Sequence, residues 1–186
     1  MICYFTIVLL CSLAASFAAH LILKEYQIMR LIIFLNPNVD PRGAGWNIIQ
    51  SMTAIGSGHL WGRGFLQGTQ SHYRFLPEQS TDFIFSIYGE EFGFMGGLLI
   101  FGLFLLIALR LIRLMKITVD SFGIYIVAGL FAVILFHFIV NVGMAMGIMP
   151  ITGIPLYFMS YGGSALMTAM SGIGIAMSVY IRRFRR

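Results

Sequence analysis

The stretch SFGIYIVAGLFAVILFHFIVNVGMAMGIMPITGIPLYFMSYGGSALMTAMSGIGIAMSVYI, residues 121–181, contains no Asp, Glu, Lys or Arg. As a single helix it would be about 90 Å long, roughly three times the hydrocarbon thickness of a bilayer. It must fold back on itself. Met149-Pro150-Ile151-Thr152-Gly153-Ile154-Pro155 marks the place, because two prolines and a glycine cannot continue a helix. The segment therefore reads as two membrane spans, 121–145 and 157–181.

Upstream, residues 92–109 also lack these four residue types and end at Arg110, and residues 1–23 lack them too. Each is long enough for one crossing. The whole chain agrees: 59% of its residues are hydrophobic and only 10% charged, against about a quarter charged in soluble domains. Disordered, collagen-like and disulfide-scaffold classes fail on low charge, the lack of a Gly-X-Y period and only two cysteines. Cys3 and Cys11 would lie about 12 Å apart along one helix, too far for a disulfide. Residues 1–23 lack the positive n-region of a signal peptide and exceed its usual apolar length, so they read as a span.

The expected fold is an all-α polytopic membrane protein. It forms a single membrane domain, 1–186, with four transmembrane helices near 1–23, 92–109, 121–145 and 157–181. One long extracytoplasmic loop, 24–91, joins the first and second.

The net charge of +5 is a topology signal. Arg110/Arg113/Lys116 and Arg182/Arg183/Arg185/Arg186 each follow an apolar run, as Lys and Arg do on the cytoplasmic side. This places the C-terminus in the cytoplasm and loop 24–91 outside, with Trp46, Trp61, Tyr26 and Tyr73 suited to the interface. Nucleic acid is not an expected partner; membrane lipid is.

Ionisable groups at membrane depth are costly and point to function. Glu78-Gln79-Ser80-Thr81-Asp82-Phe83-Ile84-Phe85 leads into Gly89-Glu90-Glu91-Phe92. A helix begun near Pro77 would carry Glu78 and Asp82 one turn apart on one face, with Glu90 about 80° around from Asp82 and Glu91 opposite. Asp82, boxed among apolar residues, is the strongest candidate for chemistry. Ser160-Tyr161-Gly162-Gly163-Ser164 opens the last span. Gly93/Gly97 and Ser164/Thr168 have the spacing of close helix packing. His137 and Asn141 share a face and fit an interhelical hydrogen bond. His59 and His72 have no further Cys or His at ligand spacing, so no protein metal site is expected.

Several stretches together resemble the SEDS proteins (shape, elongation, division, sporulation). They are Asn36-Pro37-Asn38-Val39-Asp40-Pro41-Arg42-Gly43-Ala44-Gly45-Trp46, Ala54-Ile55-Gly56-Ser57-Gly58, Gly62-Arg63-Gly64 and Gly68-Thr69-Gln70. To these are added Leu76-Pro77-Glu78, Thr81-Asp82-Phe83-Ile84-Phe85, Gly89-Glu90-Glu91 and Pro150 to Ser164. Gly68-Thr69-Gln70 and Gly43-Ala44-Gly45 favour the elongation branch (RodA) over the division branch (FtsW). Where the family usually has Pro-Leu-Pro, this chain has Pro155-Leu156-Tyr157. The family has about ten spans, so this chain resembles its C-terminal part only, and a separate N-terminal half is among the partners implied.

The resemblance implies an inverting glycosyltransferase, a peptidoglycan polymerase that joins lipid II into glycan strands for cell elongation and rod shape. It works in the bacterial cytoplasmic membrane with a class B penicillin-binding protein as transpeptidase. Asp82 falls on the family's essential acid and would act as general base on the attacking sugar hydroxyl. Glu78, Thr81, Glu90, Arg63, Arg74, Ser160, Tyr161 and Ser164 are the candidate substrate-binding residues. For Arg63 and Arg74 an ordinary solvated charge is the competing reading. The leaving diphosphate calls for cations or a divalent metal such as Mg or Mn; no organic cofactor is expected. Two other functions compete: a lipid II flippase with Asp82 and Glu90 lining its path, and a non-catalytic scaffold of the elongation machinery.

Overall fold

A computed structural model describes residues 25–40, 43–68 and 81–182. Among these residues five α-helices follow one another: α1 (Glu25–Leu35), α2 (Ala44–Ser57), α3 (Ile84–Ile117), α4 (Ser121–Ala145) and α5 (Gly163–Arg182), with a 3-10 turn at Pro37–Val39. There is no strand among the described residues. The helices α3, α4 and α5 are long and apolar enough to cross a membrane.

The third expected span, 121–145, coincides with α4. Asp120 starts it as N-cap, its Oδ1 accepting from the Phe122 N–H at 3.4 Å. The turn Thr118-Val119-Asp120 joins α4 to α3 as a tight hairpin. Between them lies the core. Phe138 of α4 stacks on Phe104 of α3 with ring centroids 4.4 Å apart and meets Phe101 edge-on at 5.0 Å. Helix α5 joins through small residues: Ala169 and Ala176 are buried, and Gly172 faces Leu130 of α4. The lipid-side surface is apolar, with Leu98, Leu99, Leu105, Leu106 and Phe136 all exposed.

Other boundaries differ from the sequence reading. The second span, expected over 92–109, belongs to a helix from Ile84 to Ile117 that includes Arg110, Arg113 and Lys116. Long basic side chains can reach the interface from inside a helix, so charge marks the membrane boundary and not the helix end. The last helix begins at Gly163, not at 157. Tyr157 to Gly162 form a turn in which Phe158 takes a left-handed φ of 68° and the Leu156 N–H donates to Ser160 Oγ at 2.8 Å. Segment 24–91 is not all loop: it holds α1, α2 and the start of α3. The first span, 1–23, lies outside the described residues. Trp46 and Trp61 are exposed, consistent with an interfacial place.

Helix α3 is broken at Gly93 (φ 64°, ψ −159°), a backbone region open essentially to glycine alone. The bonds missing from the helical ladder are 94→90 and 95→91. The loop after α2 supplies substitutes for both. The Glu90 and Glu91 carbonyls accept from the Arg63 and Gly64 N–H groups, each at 3.0 Å. The Phe94 and Met95 N–H groups donate to the His59 and Leu60 carbonyls at 2.9 and 3.2 Å. The loop is thus spliced into the helix. A β-carbon on Gly93 would overlap the Gly62 nitrogen, and one on Gly62 would overlap the Glu91 carbonyl. Beyond the break, α3 runs about 36 Å, enough for one crossing.

Gly93 is therefore a hinge in the backbone and not the helix-packing glycine that its spacing to Gly97 implies. A β-carbon on Gly97 would meet nothing closer than Phe85 Cζ at 3.9 Å. Gly93→Ala is expected to destabilise the detergent-purified protein by about 2 kcal/mol or more from backbone strain alone. Gly97→Ala, by contrast, is neutral or mildly stabilising. Thermal unfolding monitored by size-exclusion chromatography checks both; equal midpoints would remove the splice as a structural requirement.

Candidate functional site

The residues around Asp82 are built on two breaks in helical structure. Thr81-Asp82-Phe83 is a turn immediately before α3. The expected helix from Pro77 is not what carries Asp82: α3 begins at Ile84, so its angular relation to Glu90 does not arise. Phe83 anchors the turn by packing, buried with Met144 of α4 and against Ile151.

Hydrogen bonds then fix the main chain on both sides of Asp82. Asn141 is 0% exposed. Its Nδ2 donates to the Asp82 carbonyl at 2.9 Å and to the Ile154 carbonyl at 2.8 Å. The Ser160 hydroxyl donates to the Thr81 carbonyl at 2.6 Å. The turn before α3 is thereby tied to α4 and to the proline-broken segment 150–160. The Asp82 carboxylate lies over Gly153, whose φ is +70°; a β-carbon there would sit 3.3 Å from Asp82 Oδ2. A glycine meets both demands at once: it takes the left-handed backbone without strain and leaves room for the acid.

The segment 150–156 makes no helix, so its carbonyls need partners. Side chains supply them. Arg30 of α1 donates through Nη1 to the Ile151 carbonyl at 3.2 Å. Asn141 serves Ile154. His137 Nδ1 lies 3.0 Å from the Pro155 carbonyl, with its ring stacked on Tyr157 at 4.0 Å. The shared face of His137 and Asn141 is real, but both side chains bond to main-chain carbonyls of the broken segment and, for Asn141, of the Asp82 turn.

The other candidate residues scatter. Thr81 and Ser160 meet at the turn through main chain and hydroxyl. Tyr161, 85% exposed, and Ser164, also exposed, stand at the start of α5. Glu90 is 0% exposed and Glu91 is also buried; this packing presents no surface of Glu90 to a ligand. Arg63 has local work: its main-chain N–H belongs to the splice, and its Nε donates to the Ser57 carbonyl at the end of α2, at 3.3 Å. Glu78, Arg74 and His72 lie outside the described residues. No group of three or more His, Cys, Asp or Glu side chains could hold a metal among the described residues. Ser164 and Thr168 do not pack against another described helix: both are exposed, and Thr168 Oγ1 donates back to the Ser164 carbonyl at 2.8 Å.

Two contacts around the Asp82 turn and the α2–α3–α4 junction escape sequence reasoning. One is the hold of Asn141 on Asp82. Its trace was a lone amide in a charge-free helix, but not the identity of its partners. The other is Ser51 of α2, whose hydroxyl donates to the Ala145 carbonyl at 2.6 Å and lies 2.5 Å from the Ser86 hydroxyl, joining α2, α3 and α4.

Residues 1–184 match the FtsW/RodA/SpoVE family model, described as "Cell cycle protein". The peptidoglycan glycosyltransferase RodA of Treponema pallidum is 60% identical over 172 residues, 92% of this chain and 40% of that protein. The peptidoglycan glycosyltransferase MrdB of Escherichia coli K12 is 44% identical over 162 residues, 87% of this chain and 44% of that protein. A solved structure, described under "Structural coordination of polymerization and crosslinking by a peptidoglycan synthase complex", is similar with a TM-score of 0.73 and 29% identity. That likeness covers 98% of this chain and 49% of the other. The chain thus spans less than half the length of these relatives.

Asn141→Leu keeps the side-chain size but strands two part-buried carbonyls. It is expected to cost about 2 kcal/mol and to speed amide exchange in the turns at 83–86 and 156–160. Ser164→Ala, at an exposed position, leaves both unchanged. Hydrogen-exchange mass spectrometry reads the difference; unaltered exchange in Asn141→Leu would mean that the turn is held by packing alone.

Proposed function

The chain belongs to the FtsW/RodA/SpoVE family of cell cycle proteins, and from that premise we propose that it carries the Asp82 centre of a peptidoglycan glycosyltransferase. The reaction is polymerisation of lipid II into glycan strands for elongation. The carrying observation is the clamped turn. Asn141 and Ser160 hold the carbonyls of Asp82 and Thr81, so the turn that bears the Asp82 side chain is fixed through its main chain.

In this reading the carboxylate takes the proton from the attacking sugar hydroxyl as the new C–O bond forms. The bond to the diphosphate-lipid breaks, and the diphosphate leaves with its electron pair. One displacement inverts the sugar carbon, with the hydroxyl in the place that water has in an inverting glycosidase. The diphosphate charge calls for cations or a divalent ion such as Mg or Mn. Tyr161 and Ser164, exposed at the start of α5, are the described side chains assigned to meet a sugar in this reading.

The topology belongs to the same proposal. Helix α3 has Asp82 just before its first turn and Arg110, Arg113 and Lys116 in its last turns. By the positive-inside rule the basic ends are cytoplasmic and Asp82 faces outward, with 1–23 as a fourth span. A class B penicillin-binding protein is the expected partner, in keeping with the named function of the structural relative as a polymerising and crosslinking complex.

The test is lipid II polymerisation in liposomes. The chain is co-purified with the class B partner and, where a separate polypeptide carries them, with the remaining spans. Asp82→Asn is expected to lose about 10²–10⁴-fold in rate with an unchanged unfolding midpoint. Polymer formed at the wild-type rate by Asp82→Asn would remove Asp82 as the base.

A further inference from the structure

The basic end of the bundle contains a cavity of about 450 Å³, between the α3–α4 turn and the last turns of α5. Its walls are of two kinds. Phe122, Ile126 and Ile175 make an apolar side, while Thr118, Ser178 and Arg182 bring polar groups. Gly123 forms the floor: a β-carbon there would lie 3.0 Å from Val179 Cγ1, so α4 and α5 close beneath the cavity. Its mouth carries apolar side chains turned outward, with Val119 84% and Phe122 71% exposed.

The charges at this end are unevenly matched. Among the described residues, Arg110, Arg113, Lys116 and Arg182 stand against Asp120, four cations to one anion, or +3. Among the described residues none of these cations makes an ion pair. Asp120 lines the same cavity as Arg182, yet its carboxylate serves the Phe122 N–H as the N-cap of α4. Arg182 thus offers its guanidinium to a concave, half-apolar space. A guanidinium binds phosphate oxygens through directed, charge-assisted bonds, and basic pockets between spans are where anionic headgroups lodge.

We propose that this cavity is a binding site for one anionic phospholipid. Arg182 and the Ser178 hydroxyl meet the phosphate, and an acyl chain runs along Phe122, Ile126 and Ile175. The surplus positive charge selects an anionic headgroup over a zwitterionic one. The site lies at the opposite end of α3 from Asp82 and does not depend on the glycosyltransferase reading.

Native mass spectrometry of the full chain in detergent tests this, with dioleoyl phosphatidylglycerol and dioleoyl phosphatidylethanolamine as probes. Wild type is expected to retain one phosphatidylglycerol under activation that strips phosphatidylethanolamine. Arg182→Gln weakens retention about tenfold or more, the loss of a charge-assisted contact. Arg110→Gln removes the same charge outside the cavity and changes it by less than about threefold. Ser178→Phe fills the cavity, leaves every charge in place and also lowers retention. Equal effects of Arg182→Gln and Arg110→Gln would reduce the site to bulk electrostatics and overturn the proposal. So would equal retention of the two lipids, or full retention by Ser178→Phe.

Discussion

A backbone that leaves the helix inside a packed protein must find other partners for its N–H and carbonyl groups. Among the described residues this chain does so at Gly93 and at 150–156, and the two solutions position the Asp82 turn. At Gly93 another stretch of main chain supplies the bonds: residues 59–64 donate to and accept from the open ladder of α3. At 150–156 the partners are side chains: Arg30, Asn141 and His137 each serve a carbonyl of the broken segment. The first solution exchanges four main-chain bonds and needs glycine at the crossing. The second spends polar side chains and lets the segment run free of any helical path.

The position of Asp82 follows from the second solution. Asn141 satisfies a carbonyl of the broken segment and one of the Asp82 turn with the same amide. The two irregular pieces are thereby fixed to each other as well as to α4. Phe83, buried against Met144 and Ile151, seals the same junction with apolar contact. The proton transfer proposed for Asp82 requires a set distance between the acid and its partner atom. An acid on a loop gains that only when the loop is tied down by bonds other than its own.

Part of this was legible in the residues. The charge-free run and its prolines gave α4 and the turn after it, since length and helix breaking are local properties. Asp82 stood out because an acid among Phe and Ile is costly. The break at Gly93 was hidden: glycine at small-residue spacing reads equally as close packing, and what distinguishes the two is a loop thirty residues away. The start of α3 was misplaced for a related reason. Glu90 and Glu91 look like a polar boundary, yet both are buried inside the helix-and-loop assembly. Arg63 was a candidate for phosphate contact on charge alone, while its main chain and its Nε are tied to the splice and to the end of α2.

The splice also implies an order of assembly. Residues 58–64 precede α3 in the chain, so they are made first. The part of α3 after Gly93 holds its own ladder and can enter the membrane as an independent helix. The outer arm, 84–92, ends in carbonyls that only the earlier loop can satisfy. Its closure therefore needs a segment that is already synthesised, and the turn bearing Asp82 is attached to that arm.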